Sequence, residues 1–383
     1  MDNLSASDLI QLIPAVFPRR PGDRRLGILV DVPREPSRDS EGWKIRRSLA
    51  ADWSRMLHQG LKELGLEEIV LLAYSSVGSN NAPLPASAFS GQGPLPPAAE
   101  SLSAWGEERP FDEIFGAVQI FLAPTQFSTT APLKVAARRF GFRAATMPGF
   151  SPAMIPALRI DYNEVNRRVM SIKDKLDRAE GARVTFRVDD RVDYDMFFDL
   201  RHRTGHASSG RFPEPGTAGN LPSGEAYIVP YEGEMDEPSR TRGELPVQTD
   251  GDLLVFEIRD NRAVSVSGSG PALKAEREHL EREPAYGNMA ELGFGVLADF
   301  GIPPIGEILL DEKLGFHVAF GRSEHFGGMV GPDDFSRPEE VIHLDRIYIP
   351  ATQPRVRVVE IRFEYPKAPD EEVMLNGRYL GLE

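Results

Sequence analysis

The chain contains no cysteine in its 383 residues. This absence excludes disulfide bonds, thiolate metal ligands and a cysteine nucleophile. Basic residues are also in deficit, since 44 lysines and arginines face 58 aspartates and glutamates, for a net charge of −14. Because phosphate groups and anionic lipid surfaces attract proteins with a basic field, we predict that neither nucleic acid nor a membrane is a partner.

Long apolar runs are missing as well. No stretch approaches the roughly 20 apolar residues that a membrane-spanning helix needs. Near the N-terminus, Arg19 and Arg20 follow a short apolar run instead of preceding it, which reverses the order in a secretory signal. The nucleotide-binding pattern G-x-G-x-x-G does not follow the first predicted strand. We therefore expect a cytoplasmic protein with no nucleotide cofactor.

The first half of the chain alternates between two kinds of segment. Short apolar, β-branched runs typical of buried parallel strands are separated by segments with apolar residues at helical spacing. This alternation predicts an N-terminal open α/β sheet domain. The proline- and glycine-rich stretch Ser75–Ala98 predicts a long loop. The predicted strands are Leu26–Val32, Glu68–Tyr74, Ala117–Leu122 and Arg143–Met147, and the predicted helices are Trp43–Leu64 and Leu133–Phe140.

The pattern changes after a charged helix predicted at Asn163–Gly181, which Gly181 is expected to end. Beyond it, strand-like alternation dominates, with one clear helix at Ala272–Glu283. Because 383 residues exceed the usual size of one core, we predict two domains. These are an α/β domain over residues 1–170 and a mostly β (α+β) metal-binding domain over residues 171–383. The strands predicted in the second domain are Ala182–Val188, Asp193–Leu200, Ala226–Tyr231, Leu253–Ile258 and Arg355–Tyr365.

Histidine is scarce but unevenly distributed. Of the seven histidines, His317, His325 and His343 fall within one window of 27 residues. Imidazole nitrogen and carboxylate oxygen together form the ligand set that proteins use for zinc, cobalt, manganese and iron. This concentration predicts a metal centre in the second domain.

His343 and Asp345 are separated by one residue in an alternating segment that predicts a strand. Side chains at positions i and i+2 of a strand project from the same face, about 6–7 Å apart along the backbone, so both are able to bind one ion. His317 also lies in a strand-like segment, Gly315–Gly321. A lone histidine in such a strand is more often a packed core residue than a ligand, so His317 depends on the others for its assignment.

Two glutamates lie in short segments bounded by glycine. Glu225 follows Gly224 at the start of an apolar strand, and Glu291 is flanked by apolar residues and Gly293. A buried acid needs a partner, and a metal cation is one. Together with His317, His343 and Asp345, they give five candidate ligands, more than one tetrahedral ion requires. We therefore predict two ions that share Asp345 or a glutamate, an arrangement suited to hydrolysis.

Three further residues are candidates for acid–base work. Glu312 precedes His317 and is a candidate general base or a group that supports the ligands, although segments of this kind are more often solvated charged turns. Glu324 and His325 precede the glycine-rich segment Phe326–Gly328. For His325, an extra ligand, an acid–base group and an ordinary loop residue stay open as alternatives.

Taken in order, these segments resemble the thermophilic aminopeptidase family, which includes aminopeptidase T and aminopeptidase S. The resemblance covers most of the chain from about residue 115 onward and implies a dimeric exopeptidase that removes N-terminal residues from peptides with two ions of zinc, cobalt or manganese. It places the metal ligands on Glu225, Glu291, His317, His343 and Asp345. The matching segments are Asn220–Glu225, Ala290–Gly293, Leu310–Lys313 with His317–Gly321, and His343–Asp345.

The chain departs from the family at one catalytic position. Family members carry a tyrosine seven residues after the first histidine, and this chain has Glu324 there. A tyrosine hydroxyl donates a hydrogen bond to a developing oxyanion, whereas an ionised glutamate does not. The resemblance therefore predicts that the metal ligands are retained and the oxyanion stabiliser is replaced. Either His325 or Arg322 takes over the role, or the substrate differs from that of the family.

A related branch of the same superfamily opens hydroxylated pyridine rings with a single Fe(II) ion held by two histidines and one carboxylate. His317, His343 and Asp345 would supply that triad here. We predict a metal-dependent aminopeptidase, because Glu225 and Glu291 are retained as a two-ion hydrolase requires, and we keep the iron dioxygenase as the alternative. A metal-binding protein without catalysis is a third class, which no motif specifically supports.

Overall fold

The computed structural model describes residues 3–382. Its helices are α1 Ala6–Val16, α2 Glu41–Gln59, α3 Leu61–Leu64, α4 Leu102–Trp105, α5 Phe111–Ala117, α6 Thr130–Phe140, α7 Ile155–Leu158, α8 Tyr162–Leu176, α9 Pro271–Arg282 and α10 Ile308–Asp311. Its strands are β1 Arg25–Val32, β2 Glu68–Ser75, β3 Ser87–Gly91, β4 Gly106–Pro110, β5 Ile120–Ala123, β6 Arg143–Thr146, β7 Gly181–Val188, β8 Val192–Asp199, β9 His206–Ser208, β10 Thr217–Asn220, β11 Glu225–Ile228, β12 Arg242–Thr249, β13 Asp252–Arg259, β14 Arg262–Gly268, β15 Met289–Gly295, β16 Phe316–Gly321, β17 His343–Ile347, β18 Val356–Tyr365, β19 Ala368–Leu375 and β20 Arg378–Tyr379. Short 3₁₀ turns at Glu312–Leu314 and Glu324–Phe326 lie close to the candidate site.

The mixture of helices and several sheets confirms the predicted α/β class. The chain forms two compact units, of which the first comprises Met1–Asn166 and Gly210–Ser223, and the second Arg167–Ser209 and Gly224–Glu383. The sequence analysis predicted one crossing between domains, near residue 170. In the structure the chain crosses three times, first inside α8 and again on either side of residues 210–223.

The first unit is built on a seven-stranded sheet with the order β10-β6-β5-β1-β2-β3-β4. The five strands from β10 to β2 are parallel, and β3 and β4 add an antiparallel hairpin at one edge. The loop predicted over Ser75–Ala98 is therefore wrong in part, because β3 pairs with β2 within it. The hydroxyl groups of Thr130 and Thr146 donate to the Asn220 side chain at 2.9 and 3.0 Å and hold β10 at the opposite edge.

An aromatic cluster forms much of the core beneath this sheet. The ring centroids of Phe115 and Phe121 lie 4.9 and 4.8 Å from that of Phe142, within the range of favourable aromatic pairs. Helix α6 covers part of the same core through Leu133 and ends at Gly141, whose φ of 80° suits a residue without a side chain. The apolar runs of the first half thus become buried parallel strands, as their composition predicted.

The second unit contains two antiparallel sheets. An eight-stranded sheet has the order β14-β13-β12-β8-β7-β18-β19-β20, and a five-stranded sheet has the order β17-β16-β15-β11-β9. The helix predicted at Asn163–Gly181 ends earlier, at Leu176, because Gly181 already pairs with Asp199 as the first residue of β7. Among the described residues, no helix combines the length and the apolar character that crossing a bilayer requires.

Candidate metal centre

The five-stranded sheet brings together all five of the predicted ligands. Glu225 begins β11, Glu291 lies on β15, His317 on β16, and His343 and Asp345 on β17. These four strands are neighbours in the sheet, so residues from 225 to 345 meet at one place. The two-residue spacing of His343 and Asp345 along β17 directs both side chains to one face, as the strand geometry predicted.

A glycine makes room for the His317 ring. Gly293 pairs with His317 across β15 and β16, and a Cβ atom at Gly293 would lie 2.0 Å from the Nε2 atom of His317. Since real Cβ contacts are essentially never shorter than 3.0 Å, only glycine lets the imidazole lie over the neighbouring strand. The glycine that bounds the Ala290–Gly293 motif therefore has a steric function in the site.

Glu291 lies between the two histidines. Its Oε1 atom is 3.5 Å from His317 Nε2, and its Oε2 atom is 3.1 Å from His343 Nε2. His317 Nε2 is also 3.6 Å from Glu225 Oε2, and His343 Nε2 is 3.6 Å from Asp345 Oδ1. The ligand atoms fall into two groups, Glu225–Glu291–His317 and Glu291–His343–Asp345, each with all its atoms within 4.8 Å of one another. Glu291 is common to both groups.

The backbone orients both imidazole rings. His317 Nδ1 lies 3.2 Å from the carbonyl oxygen of Gly315, and His343 Nδ1 lies 2.8 Å from that of Arg322. A carbonyl oxygen accepts a hydrogen bond, so in both rings Nδ1 donates and Nε2 faces the carboxylates. Metal-bound histidines are commonly held in this way.

Two buried carboxylate oxygens have no hydrogen-bond partner among the described residues. They are Oε2 of Glu225 and Oδ1 of Asp345, one in each ligand group. A buried anionic oxygen without a partner is costly, and a cation satisfies it. The donor set of imidazole nitrogen and carboxylate oxygen suits a divalent ion, so the residues present fit a metal.

Lys313 is a member of the site that the sequence analysis missed. Its side chain is only 3% exposed, and its ammonium group donates to Oε1 of Glu225 and to Oε1 of Glu312. In the sequence, Lys313 follows two acids and was taken with them as a charged turn. The structure instead buries this turn against β15, where Gly295 leaves room for the backbone of residues 312 and 313.

Burial and charge perturb the titration of these groups. Burial raises the pKa of Glu312 to about 8, against the opposing effect of the Lys313 ammonium. Burial also raises the pKa of Glu225. For His317, burial favours the neutral ring, but Glu291 and Glu225 outweigh it and raise the pKa to about 9. The anionic cluster is therefore an environment that attracts positive charge.

Two comparisons with known proteins found no match, since neither a protein-family model nor a curated protein resembles the chain. Solved structures do resemble it. A 2,5-dihydroxypyridine dioxygenase from Pseudomonas putida KT2440 has a TM-score of 0.59 at 14% identity, covering 99% of this chain and 98% of that one. Wild-type AmpT from Thermus thermophilus has a TM-score of 0.54 at 14% identity, covering 98% and 99%.

The fold is shared with an aminopeptidase and with a dioxygenase. Both likenesses extend over nearly the whole of each chain, so they include residues of both units. At 14% identity they establish the fold alone. The two activities weighed from the sequence therefore correspond to two proteins of this fold, and the choice between them depends on the side chains.

Glu324 and His325 differ from each other in their surroundings. The Glu324 carboxylate is 43% exposed and accepts hydrogen bonds from Arg322 at 2.7 and 3.0 Å, which lower its pKa. The structure thus places it in a surface ion pair, apart from the buried carboxylates. The His325 ring lies 5.2 Å from that of His343, and burial lowers its pKa to about 4. His325 is accordingly a neutral ring beside the ligands.

Tyr227 is the second residue that the sequence analysis missed. It lies two positions after Glu225 on β11, and its half-buried ring is 5.0 Å from that of His206 and 4.9 Å from that of Phe326. Burial, together with the negative charges of Glu291 and Glu225, raises the pKa of its hydroxyl, so the hydroxyl keeps its proton. The strand alternation that starts at Glu225 predicts this neighbour, because i and i+2 share a face.

Proposed function

We propose that the chain is a metal-dependent hydrolase that removes N-terminal residues from peptides. The observation that supports this most directly is Glu291, a buried carboxylate placed between His317 and His343 and shared by two ligand groups. Shared carboxylates are what hydrolytic centres with adjacent cations require. The likeness of fold to AmpT agrees with this proposal.

The metal would be held by the five candidate ligands, Glu225, Glu291, His317, His343 and Asp345. Zinc, cobalt and manganese all accept mixed nitrogen and oxygen ligands of this type. When bound, such an ion supplies Lewis acidity, which polarises a carbonyl oxygen and makes a water molecule more acidic. The chain's own contribution is to fix the two imidazole rings through Gly315 and Arg322 and to keep the carboxylates of Glu225 and Glu291 buried.

Glu312 is the group we assign to proton transfer. It is mostly buried, it is held by the Lys313 ammonium, and its carboxyl has a pKa of about 8. A carboxylate with such a pKa accepts a proton from an attacking water near neutral pH and returns it to the leaving amine. Tyr227 keeps its proton and is positioned on the same strand face as Glu225, so it is the hydrogen-bond donor we propose in place of the family's tyrosine.

The alternative is a ring-cleaving dioxygenase with one iron ion. The likeness of fold to the 2,5-dihydroxypyridine dioxygenase and the glutamate at position 324 favour it. It requires His317 and His343 to bind the same ion together with Asp345. The two histidines instead belong to different ligand groups joined by Glu291, which supports the hydrolase.

The test is a comparison of activities in purified protein loaded separately with zinc, cobalt, manganese or, without oxygen, Fe(II). We expect release of amine from aminoacyl amides with one of the first three ions. Ring opening of 2,5-dihydroxypyridine by the iron form, without amide hydrolysis by any form, would refute the hydrolase.

A substitution tests the role of Glu312. E312Q keeps the shape of the side chain but removes proton transfer, so we expect turnover to fall by about 10²–10⁴-fold with the metal content unchanged. E244Q, which changes an exposed acid on β12, is the matched control and should retain full activity. Turnover of E312Q within threefold of the wild type would remove Glu312 from the mechanism.

A further inference from the structure

One buried acid in the second unit takes no part in the proposed mechanism. Glu232 follows strand β11, its side chain is only 5% exposed, and it belongs to neither ligand group. We infer that Glu232 is a positioning residue, which fixes the backbone at Arg322 so that the carbonyl oxygen of Arg322 orients the His343 ring for metal binding. The inference rests on the proposed metal-dependent function and adds a residue that acts on His343 from outside the ligand set.

The Glu232 carboxylate holds both ends of the loop Ser323–Val330. Its Oε1 atom accepts a hydrogen bond from the Ser323 hydroxyl at 2.6 Å, and its Oε2 atom accepts one from the backbone N–H of Met329. The Ser323 hydroxyl in turn accepts from the backbone N–H of Val330 at 3.2 Å. Hydrogen bonds to an ionised acceptor are stronger than those between neutral groups. The carboxylate is therefore a firm anchor for this loop.

Asn288 connects the same carboxylate to the residue before Arg322. Its Nδ2 atom donates to Oε1 of Glu232 at 2.7 Å and to the carbonyl oxygen of Gly321 at 3.0 Å. The backbone N–H of Gly321 donates back to the carbonyl oxygen of Asn288 at 2.8 Å. The Asn288 amide is held in this orientation because its Oδ1 atom accepts from Asn261 at 3.1 Å. Glu232 thus holds the chain on both sides of Arg322.

The segment held in this way carries the carbonyl group that orients a metal ligand. The backbone N–H of Arg322 donates to the carbonyl oxygen of Ile342, and the carbonyl oxygen of Arg322 accepts from His343 Nδ1, both at 2.8 Å. With Nδ1 donating to a fixed acceptor, Nε2 keeps the lone pair that a metal ion requires. His317 is oriented by Gly315 instead, so the influence of Glu232 should be confined to His343.

The loop lies directly against its anchor. A Cβ atom at Gly328 would lie 2.2 Å from the Ser323 hydroxyl and 3.0 Å from Oε2 of Glu232. Since real Cβ contacts are essentially never shorter than 3.0 Å, only glycine allows the backbone to pass this close. The Arg322 carbonyl is accordingly in place before an ion binds, which is what a precise metal site requires of the residues that support its ligands.

The substitution E232Q tests the inference. Glutamine keeps the shape of the side chain, but its amide nitrogen must face either the Met329 N–H or the Asn288 amide, which are both donors. We expect E232Q to weaken zinc binding roughly tenfold, the lower end of the range for residues that support metal ligands, as measured by competition with a chelating dye. The matched control is E234Q, which neutralises the other carboxylate that pairs with Arg203 and should leave the Kd for zinc unchanged.

A spectroscopic measurement separates positioning from a general loosening of the fold. A ring proton donated to a buried carbonyl oxygen exchanges slowly with water, so nuclear magnetic resonance of zinc-loaded protein with isotopically labelled histidine detects it. We expect Nδ1 proton signals from both His317 and His343 in the wild type. We expect only the His343 signal to be lost in E232Q and in S323A, which removes the same anchor from the side of the loop.

The outcomes separate this inference from the proposed function. Unchanged zinc affinity and an unchanged His343 signal in folded E232Q would overturn the inference and leave the hydrolase intact. Loss of both histidine signals, or equal weakening of zinc binding by E234Q, would also overturn it, because the effect would then not be specific to His343 or to the anchor. If E232Q does not fold, S323A decides alone by the same two measurements. A wild type that binds none of zinc, cobalt and manganese would overturn the proposed function itself.

Discussion

Asp345 offers a direct test of the metal centre through stability. Its Oδ1 atom is buried without a hydrogen-bond partner, and His343 Nε2 lies 3.6 Å away. D345N preserves the size of the side chain but removes its charge. We expect this substitution to weaken metal binding on the order of 100-fold, the upper end of the range for residues that support a metal site.

The effect on unfolding follows from linkage. A ligand present at 100 times its Kd raises the free energy of unfolding by about 2.7 kcal/mol. In a unit of about 200 residues, each kcal/mol raises Tm by roughly 2–4 °C. Metal should therefore raise the Tm of the wild type by about 5–11 °C. The same metal concentration would be close to the Kd of D345N for the metal. Binding then raises the free energy of unfolding of D345N by only about 0.4 kcal/mol and its Tm by roughly 1–2 °C.

The assay is thermal unfolding followed by circular dichroism, with each protein measured in excess metal and in excess chelator. D260N is the control, because Asp260 is exposed in a turn with a φ of 47° that asparagine tolerates. Its metal-dependent shift should equal that of the wild type. An undiminished shift in D345N would show that Asp345 does not bind the ion.

Two further predictions concern a glycine and a buried acid. G293A should force the His317 ring to move by roughly 1.4 Å to restore a 3.4 Å contact, which lowers the free energy of unfolding by about 1–3 kcal/mol. We expect this variant to fold but to lose hydrolysis. Activity within tenfold of the wild type would contradict a role for His317. Burial raises the pKa of Asp31 from 3.8 to about 6, so the folded state binds this proton more tightly and the contribution of Asp31 to stability falls as the pH rises from about 4 to 6, by about 3 kcal/mol. In urea unfolding, the stability of D31N relative to the wild type should therefore rise by about 3 kcal/mol between pH 4 and pH 6. A stability difference that does not change with pH would refute the raised pKa of Asp31.

The parts of the fold that sequence predicted share a simple physical cause. Buried parallel strands such as β1 and β5 are apolar on both faces, so composition alone identifies them. Strand β3 was missed because most of its residues, Ser87–Gly91, are small and only half-buried near the edge of the sheet. Gly91 packs there against the ring of Trp105, which only the tertiary structure reveals.

Sequence likewise predicted one part of the candidate site and missed another. The spacing of His343 and Asp345 predicted a shared strand face, and the structure has that arrangement. The neighbourhood of Lys313 was not predictable, because a lysine after two acids normally indicates a solvated turn, and its burial results from the close approach to Gly295. Glu324 was assigned to catalysis by its position in a motif, but the structure pairs it with Arg322 at the surface.

The path of the chain through β10 affects how the protein can be dissected. Residues 210–223 belong to the first unit, although they follow the start of the second in sequence. A fragment ending near residue 170 would lack β10 and leave the backbone groups of β6 unpaired along an open edge, which invites association with other chains. Independent halves of the protein therefore need a different cut, in which β10 is carried with the first unit and a linker joins Ser209 to Gly224 in the second.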